Sequence, residues 1–101
     1  MTISSTLNGD GNELTIKVKG RFDFSAHQDF RQVYESTEST VESYIVDMQE
    51  ASYLDSSALG MLLLLRDHAG GDQAKISITN CNPDVKKILT ISNFGQLFSI
   101  S

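Results

Sequence analysis

Residues 58–65 read Ala-Leu-Gly-Met-Leu-Leu-Leu-Leu, and Gly60 alone among them is not apolar. A helix over this stretch is apolar almost all round, which calls for deep packing rather than a place on the surface. The continuous run at 61–65 is far too short to cross a bilayer, which takes about 20 residues. The Leu-rich stretch is therefore read as core, not as a membrane or lipid surface, and the chain must supply a layer to bury it. Gly70-Gly71 offers the left-handed stop that ends such a helix.

Strands supply that layer. Leu14, Ile16 and Val18 alternate with Thr15, Lys17 and Lys19, giving one buried and one wet face. An earlier candidate covers residues 2–7, and the cluster Asn8-Gly9-Asp10-Gly11-Asn12 between the two predicts a hairpin. Gly20 is expected to end the second strand. Ser25-Ala26-His27-Gln28 reads as a capping box. It is followed by a helix with Phe30, Val33 and Tyr34 on one face and Asp29, Arg31 and Glu35 elsewhere. The Ser/Thr/Glu-rich residues 35–40 end that helix in a loop. Tyr44-Ile45-Val46 is a continuous apolar run, as expected of a central strand covered on both faces. Residues 47–53 read as a connection, and Asp55-Ser56-Ser57 opens the Leu-rich helix. Ile76 and Ile78 alternate with Lys75 and Ser77 in another strand. Asn82 then caps a helix with Pro83 in its first position, where the missing amide costs little. Val85, Ile88 and Leu89 form its apolar face. After Gly95, residues 97–100 make a short last strand.

The order β-β-α-β-α-β-α-β implies parallel neighbours joined by right-handed crossovers after an opening hairpin. The expected fold is α/β: a single domain over residues 1–101, with helices packed on a mixed sheet of about five strands.

Charge and composition narrow the function. The net charge is −5, and the eight basic residues are scattered, with Lys86-Lys87 their only adjacent pair. Direct DNA or RNA binding needs a basic stripe that this chain lacks. Cys81 is the single cysteine, so no intramolecular disulfide forms, in keeping with a reducing cytoplasm. The opening MTISSTLNGDG has neither the basic nor the apolar region of a signal peptide. A soluble cytoplasmic protein without membrane insertion is expected. His27 and His68 lack the ligand spacing of a zinc site. Gly70-Gly71 lacks the spacing of a nucleotide loop. Cys81, at a strand end, reads as a small half-buried thiol rather than a nucleophile. No cofactor, no metal and no enzymatic activity are expected.

Residues 45–60 carry the function. A buried strand leads into a helix N-terminus, whose exposed amides and dipole make a natural anion site. Asp and Ser before a helix are most often simple caps, and on these residues alone both readings stand.

The wider pattern resembles the signature of anti-anti-sigma factors, members of the STAS domain family. It consists of an apolar strand, Asp47, a small-residue loop, an aromatic, and then Asp55-Ser56-Ser57-x-Leu59-Gly60 with a Leu-rich helix. Gly20-Arg21-Phe22-Asp23 is similar to the family's Gly-x-apolar-Asp element. Asn80-Cys81-Asn82-Pro83 with Val85, Ile88 and Leu89 is similar to its late segment. The resemblance implies a STAS-like fold and an anti-sigma factor antagonist. Such a protein binds an anti-sigma factor with serine kinase activity while unphosphorylated. Phosphorylation releases it, a serine phosphatase restores it, and transcription is controlled indirectly. By position the phosphoacceptor is Ser56, with Ser57 the nearest competitor. Asp23, Asp55 and Ser57 are the implied partner or kinase contacts. Asp55 fits either a plain cap or a group that orients the Ser56 hydroxyl. Ala58 stands where many members have Gly, and Arg21 where many have an acidic residue. Two alternatives share the fold: an accessory subunit of a membrane ABC lipid-transport complex, and a small-ligand or nucleotide sensor.

Overall fold

Asn8 sets the first turn. Its side-chain oxygen accepts from the amides of Asn12 (3.0 Å) and Glu13 (3.1 Å), and its amide nitrogen donates to Asn12 Oδ1 (2.8 Å). This network closes the hairpin between β1 (Ile3–Leu7) and β2 (Glu13–Phe22), which pair antiparallel. The computed structural model describes residues 3–36 and 41–101. Position 2 of the expected first strand and positions 37–40 of the expected loop lie outside the described residues.

After the hairpin the chain alternates α1 (His27–Glu35), β3 (Ser43–Leu54), α2 (Ser56–His68), β4 (Ile76–Thr79), α3 (Pro83–Ile91) and β5 (Ser99–Ile100). The sheet has five strands in the order β1-β2-β3-β4-β5, and every pairing after the hairpin is parallel. Each crossover therefore steps in the same direction. Three right-handed crossovers in one direction put all three helices on one face of the sheet. Burial agrees. Ile16, Val46 and Ile78 of the strands share one core with Phe30, Leu62 and Leu89 of the helices. On the other face Thr15, Ile45, Asp47, Ser77 and Thr79 are half-buried and Lys17 is exposed. The expectation that Tyr44-Ile45-Val46 is covered on both faces is thus corrected: β3 is central, but among the described residues the face bearing Ile45 has no helix over it.

β3 also runs far beyond that triplet, so residues 47–53, expected as a connection, are strand. The period-two signal is broken there by bulges. Lys17 and Lys19 pair with Asp47 and Glu50, and Gly20 and Arg21 pair with Ala51 and Tyr53, so β3 holds one extra residue at each step. Its inward positions are Tyr44, Val46 and Met48, then Ala51 and Leu54. Gly20 does not end β2. It lies at the second register shift with φ of 77°, a left-handed conformation that favours glycine. Beyond it the strand continues to Phe22, which is fully buried.

The expected capping box at Ser25 is not formed. Asp23 instead caps a three-residue 3-10 turn, Phe24–Ala26, and α1 follows with no side-chain cap of its own. Gly70 and Gly71 both take positive φ after α2, and Asn82 caps α3 through the Val85 amide at 2.8 Å, as expected. The chain reaches β5 through a 3-10 turn at Phe94–Gln96, so the last strand is shorter than residues 97–100. The Leu-rich helix is less buried than its composition demands. Ala58, Met61, Leu62 and Leu65 face the core, whereas Leu63 is 41% and Leu64 49% exposed. A helix lying on a one-sided sheet has an outer face whatever residues occupy it.

Candidate functional site

β2 and β3 finish together. Phe22 and Leu54 are register partners, and the Asp55 amide donates to the Phe22 carbonyl at 3.4 Å. Each strand then turns into a helix through the same three-residue device, Asp-x-Ser. Asp23 Oδ1 accepts from the Ser25 amide (3.0 Å) and hydroxyl (2.5 Å). Asp55 Oδ1 accepts from the Ser57 hydroxyl (2.6 Å) and the Ala58 amide (3.0 Å). Hydrogen bonds to the ionised form lower a carboxyl pKa. The Ser25 hydroxyl, followed by the Ser25 amide, holds Asp23 below the usual carboxylate range. The Ser57 hydroxyl, followed by the Ala58 amide, does the same for Asp55, against burial and the opposing charge of Asp23. Two carboxylates thus stand at the carboxyl ends of adjacent parallel strands, close enough to repel.

The two serines after Asp55 differ. Ser57 is half-buried with its hydroxyl engaged by Asp55. Ser56 is exposed as the first residue of α2, and among the described residues its hydroxyl has no hydrogen-bond partner. The structure therefore brings Asp23, Asp55, Ser56 and Ser57 to one end of the sheet. Asp55 fills the cap role.

The contact between Arg21 and Tyr53, and the exposed Phe24, Leu63 and Leu64, escaped the sequence reading. The Arg21 guanidinium carbon lies 4.6 Å from the centre of the Tyr53 ring, and its Nε is 3.5 Å from Asp23 Oδ2. Phe24 is 71% exposed and stacks on His27 with ring centres 5.4 Å apart. Along α2, Ser56, Gly60, Leu63 and Leu64 fall at the i, i+4, i+7 and i+8 positions of one helical face. That face thus runs from an exposed hydroxyl into exposed leucine. Phe24 had a usable signal, since it falls off the ladder of Phe30, Val33 and Tyr34. Leu63 and Leu64 had none, because the leucines around them are buried.

Other sequence candidates lie apart from this corner. The His68 ring sits 4.8 Å from that of Tyr34. Cys81 is half-buried, and burial pushes its thiol pKa up. Among the described residues no group of three or more His, Cys, Asp or Glu is placed to hold a metal ion, and no helix is long and apolar enough to cross a membrane.

A family model described as "Mlab, STAS domain" matches residues 5–99. The chain belongs to the STAS-domain family. A STAS-domain containing protein of Pseudomonas aeruginosa (strain UCBPP-PA14) is 63% identical over 101 residues, covering 100% of both chains. Among solved structures, the STAS fold of this chain superposes on the anti-sigma factor antagonist SpoIIAA in its unphosphorylated form, with TM-score 0.71 and 16% identity over 98% of this chain and 86% of the other. The phosphorylated form of SpoIIAA, a Bacillus cell fate determinant, gives 0.70 and 17%, over 98% and 90%. A sulfate transporter family protein from Wolinella succinogenes gives 0.74 and 15%, over 90% and 73%. At these identities the solved structures establish the fold alone. The same fold thus occurs in an anti-sigma factor antagonist and in a sulfate transporter family protein.

Proposed function

We propose that this STAS domain is an anti-sigma factor antagonist, switched by phosphorylation of Ser56. The observation that carries the reading is the contrast at the start of α2. The Ser57 hydroxyl is tied to Asp55, while the Ser56 hydroxyl is exposed and unbonded among the described residues, on a helix N-terminus suited to an anion. The unphosphorylated domain binds an anti-sigma factor that is also a serine kinase. In the kinase step the Ser56 Oγ–phosphorus bond forms as the β–γ anhydride bond of ATP breaks and ADP leaves. The hydroxyl proton goes to a base on the kinase. A serine phosphatase reverses the step.

Phosphorylation adds nearly two negative charges and three acceptor oxygens. They enter beside Asp55 and Asp23, next to a partner surface that had met a neutral hydroxyl. A loss of about 2–4 kcal/mol corresponds to roughly 30- to 1000-fold weaker binding. The helix N-terminus holds the phosphate, so the fold persists. The near-equal likeness to both forms of SpoIIAA is in keeping with a switch that leaves the backbone in place.

The test is tandem mass spectrometry of the protein from its native cells in two growth conditions, followed by pull-downs with Ser56→Ala and Ser56→Asp baits. A phosphoryl group on Ser56 with changing occupancy, and a kinase retained by the Ala bait but not the Asp bait, supports the reading. Absence of phosphate in both conditions with identical partners on both baits defeats it. The second reading, an accessory subunit of a membrane ABC lipid-transport complex, draws on the "Mlab" description and the transporter-family likeness. Co-purification with a membrane ATPase, independent of Ser56, would favour it.

A further inference from the structure

A phosphate on Ser56 would join Asp55, its immediate neighbour, and Asp23, whose charge already opposes ionisation of Asp55. Beyond what the start of α2 supplies, a nearby cation would offset the repulsion among three anionic groups in one corner. Across residues 20–26 and 51–60, which form the corner, Arg21 is the one Lys or Arg. The other two arginines are engaged elsewhere, Arg31 with Glu35 and Arg66 with Asp72.

Arg21 is placed for the task and only lightly held. It is the register partner of Tyr53, three residues before Ser56, and its side chain is 67% exposed. The Tyr53 ring supports the guanidinium from one side. The Nε contact to Asp23 is 3.5 Å, the outer limit of a hydrogen bond, and an exposed ion pair of that kind contributes little. Among the described residues the two terminal nitrogens donate to nothing. Adjacent strands are about 4.8 Å apart and rise about 3.3 Å per residue, so Ser56 lies roughly 10 Å further along as well as one strand across. An extended Arg side chain closes that gap only by leaning toward the end of the sheet to meet a phosphate that itself projects from Ser56. A guanidinium fork matches the oxygens of a phosphate as it matches those of a carboxylate.

We propose that Arg21 is the built-in counter-ion of phospho-Ser56. On modification its guanidinium leaves the long contact with Asp23, swings across the Tyr53 ring and closes on the phosphate, pinning it to the start of α2. The proposal rests on the reading of Ser56 as phosphoacceptor. It adds that the modified state has its own geometry, a phosphate only partly offset and still net negative, and an uncovered Tyr53 face, and is more than the unmodified state with charge added.

The test uses the full chain with phosphoserine installed at position 56 by site-specific incorporation, so the result does not depend on any cellular kinase. Phosphorus NMR follows the second ionisation of the phosphate in the wild type, in Arg21→Gln, and in Lys17→Gln as a control for a cation on the same strand but farther from the corner. The expected result is a rise of about 0.5 pH unit or more in Arg21→Gln and less than half of that in Lys17→Gln. Arg21→Lys, which keeps the charge and loses the fork, is expected between wild type and Arg21→Gln. An unchanged titration in Arg21→Gln, or equal shifts from Arg21→Gln and Lys17→Gln, overturns the counter-ion. Either result leaves the Ser56 switch standing, since that reading fails only by the cellular phosphate mapping and pull-downs.

Discussion

The chain contains the same cap twice, with different contents. Asp23-Phe24-Ser25 and Asp55-Ser56-Ser57 both follow the carboxyl end of a buried parallel strand, and in both the Asp accepts from the Ser hydroxyl two residues on. Both leave the middle residue in solvent. The first opens a three-residue 3-10 turn and the second a thirteen-residue helix. What sits in the middle also differs, an aromatic ring in one and a hydroxyl with no hydrogen-bond partner among the described residues in the other. The device is a display mount: the Asp and Ser lock each other, and the residue between them is pushed outward. Mounted side by side, one copy presents an exposed aromatic ring and the other an exposed hydroxyl.

The largest expected effect separates the two mounts outright. Ser56→Ala should abolish phosphoryl transfer to the chain in a kinase assay, whereas Ser25→Ala should leave it intact. Transfer to Ser25 at a comparable rate would make the mounts equivalent and break the comparison. Phe24→Ala comes next. It should weaken kinase binding by about tenfold in calorimetry, the scale of an exposed aromatic anchor, while changing stability by less than about 0.5 kcal/mol. A stability loss without a binding loss would make Phe24 part of the packing rather than the display.

Smaller effects distinguish the caps by what they hold. Asp55→Ala should lower the urea midpoint roughly twice as much as Asp23→Ala, because its helix is a full element and the other a single turn. Acid dependence sharpens this further. Both carboxyls have folded pKa values below their unfolded values. Their contribution is therefore present above the unfolded pKa and fades as pH falls through the folded one. In an Asp23→Asn, Asp55→Asn double variant the gap between urea midpoints at about pH 7 and about pH 3 should narrow. A gap equal to wild type would place the acid sensitivity elsewhere.

Much of this was legible from residues alone. Leu14, Ile16 and Val18 announced β2 because a one-sided strand needs strict alternation. Asn82-Pro83 announced α3 because few other pairs suit a helix start so well. Asp55 was readable as a cap, because Asp directly before a helix suits that position. The failures have physical causes. The capping box at Ser25 had the right spacing, but Asp23 reached the turn first and left α1 to start from a 3-10 turn. The Leu-rich helix looked wholly buried because composition reports how apolar a segment is, not how many layers cover it. With every crossover stepping the same way, the sheet has one helical layer, and Leu63 and Leu64 come to the surface. Arg21 and Tyr53 met because register paired them, and register across two bulges is invisible in a linear pattern.

Those bulges carry a consequence for how the chain can vary in length. Each extra residue in β3 flips which side chains point inward, and two flips restore the parity. Leu54 therefore faces the core as unbroken alternation from Tyr44 would have it, while Glu50 and Ser52, which alternation would bury, stay in solvent. Deleting one residue from 49–53 leaves an odd count. Leu54 would turn to water, and both display mounts would lose their common level at the sheet end. Deleting one residue at each bulge would keep them aligned. Point changes at Gln49, Glu50 or Ser52 should pass almost unnoticed in a segment where a lone insertion or deletion is a frameshift of the fold.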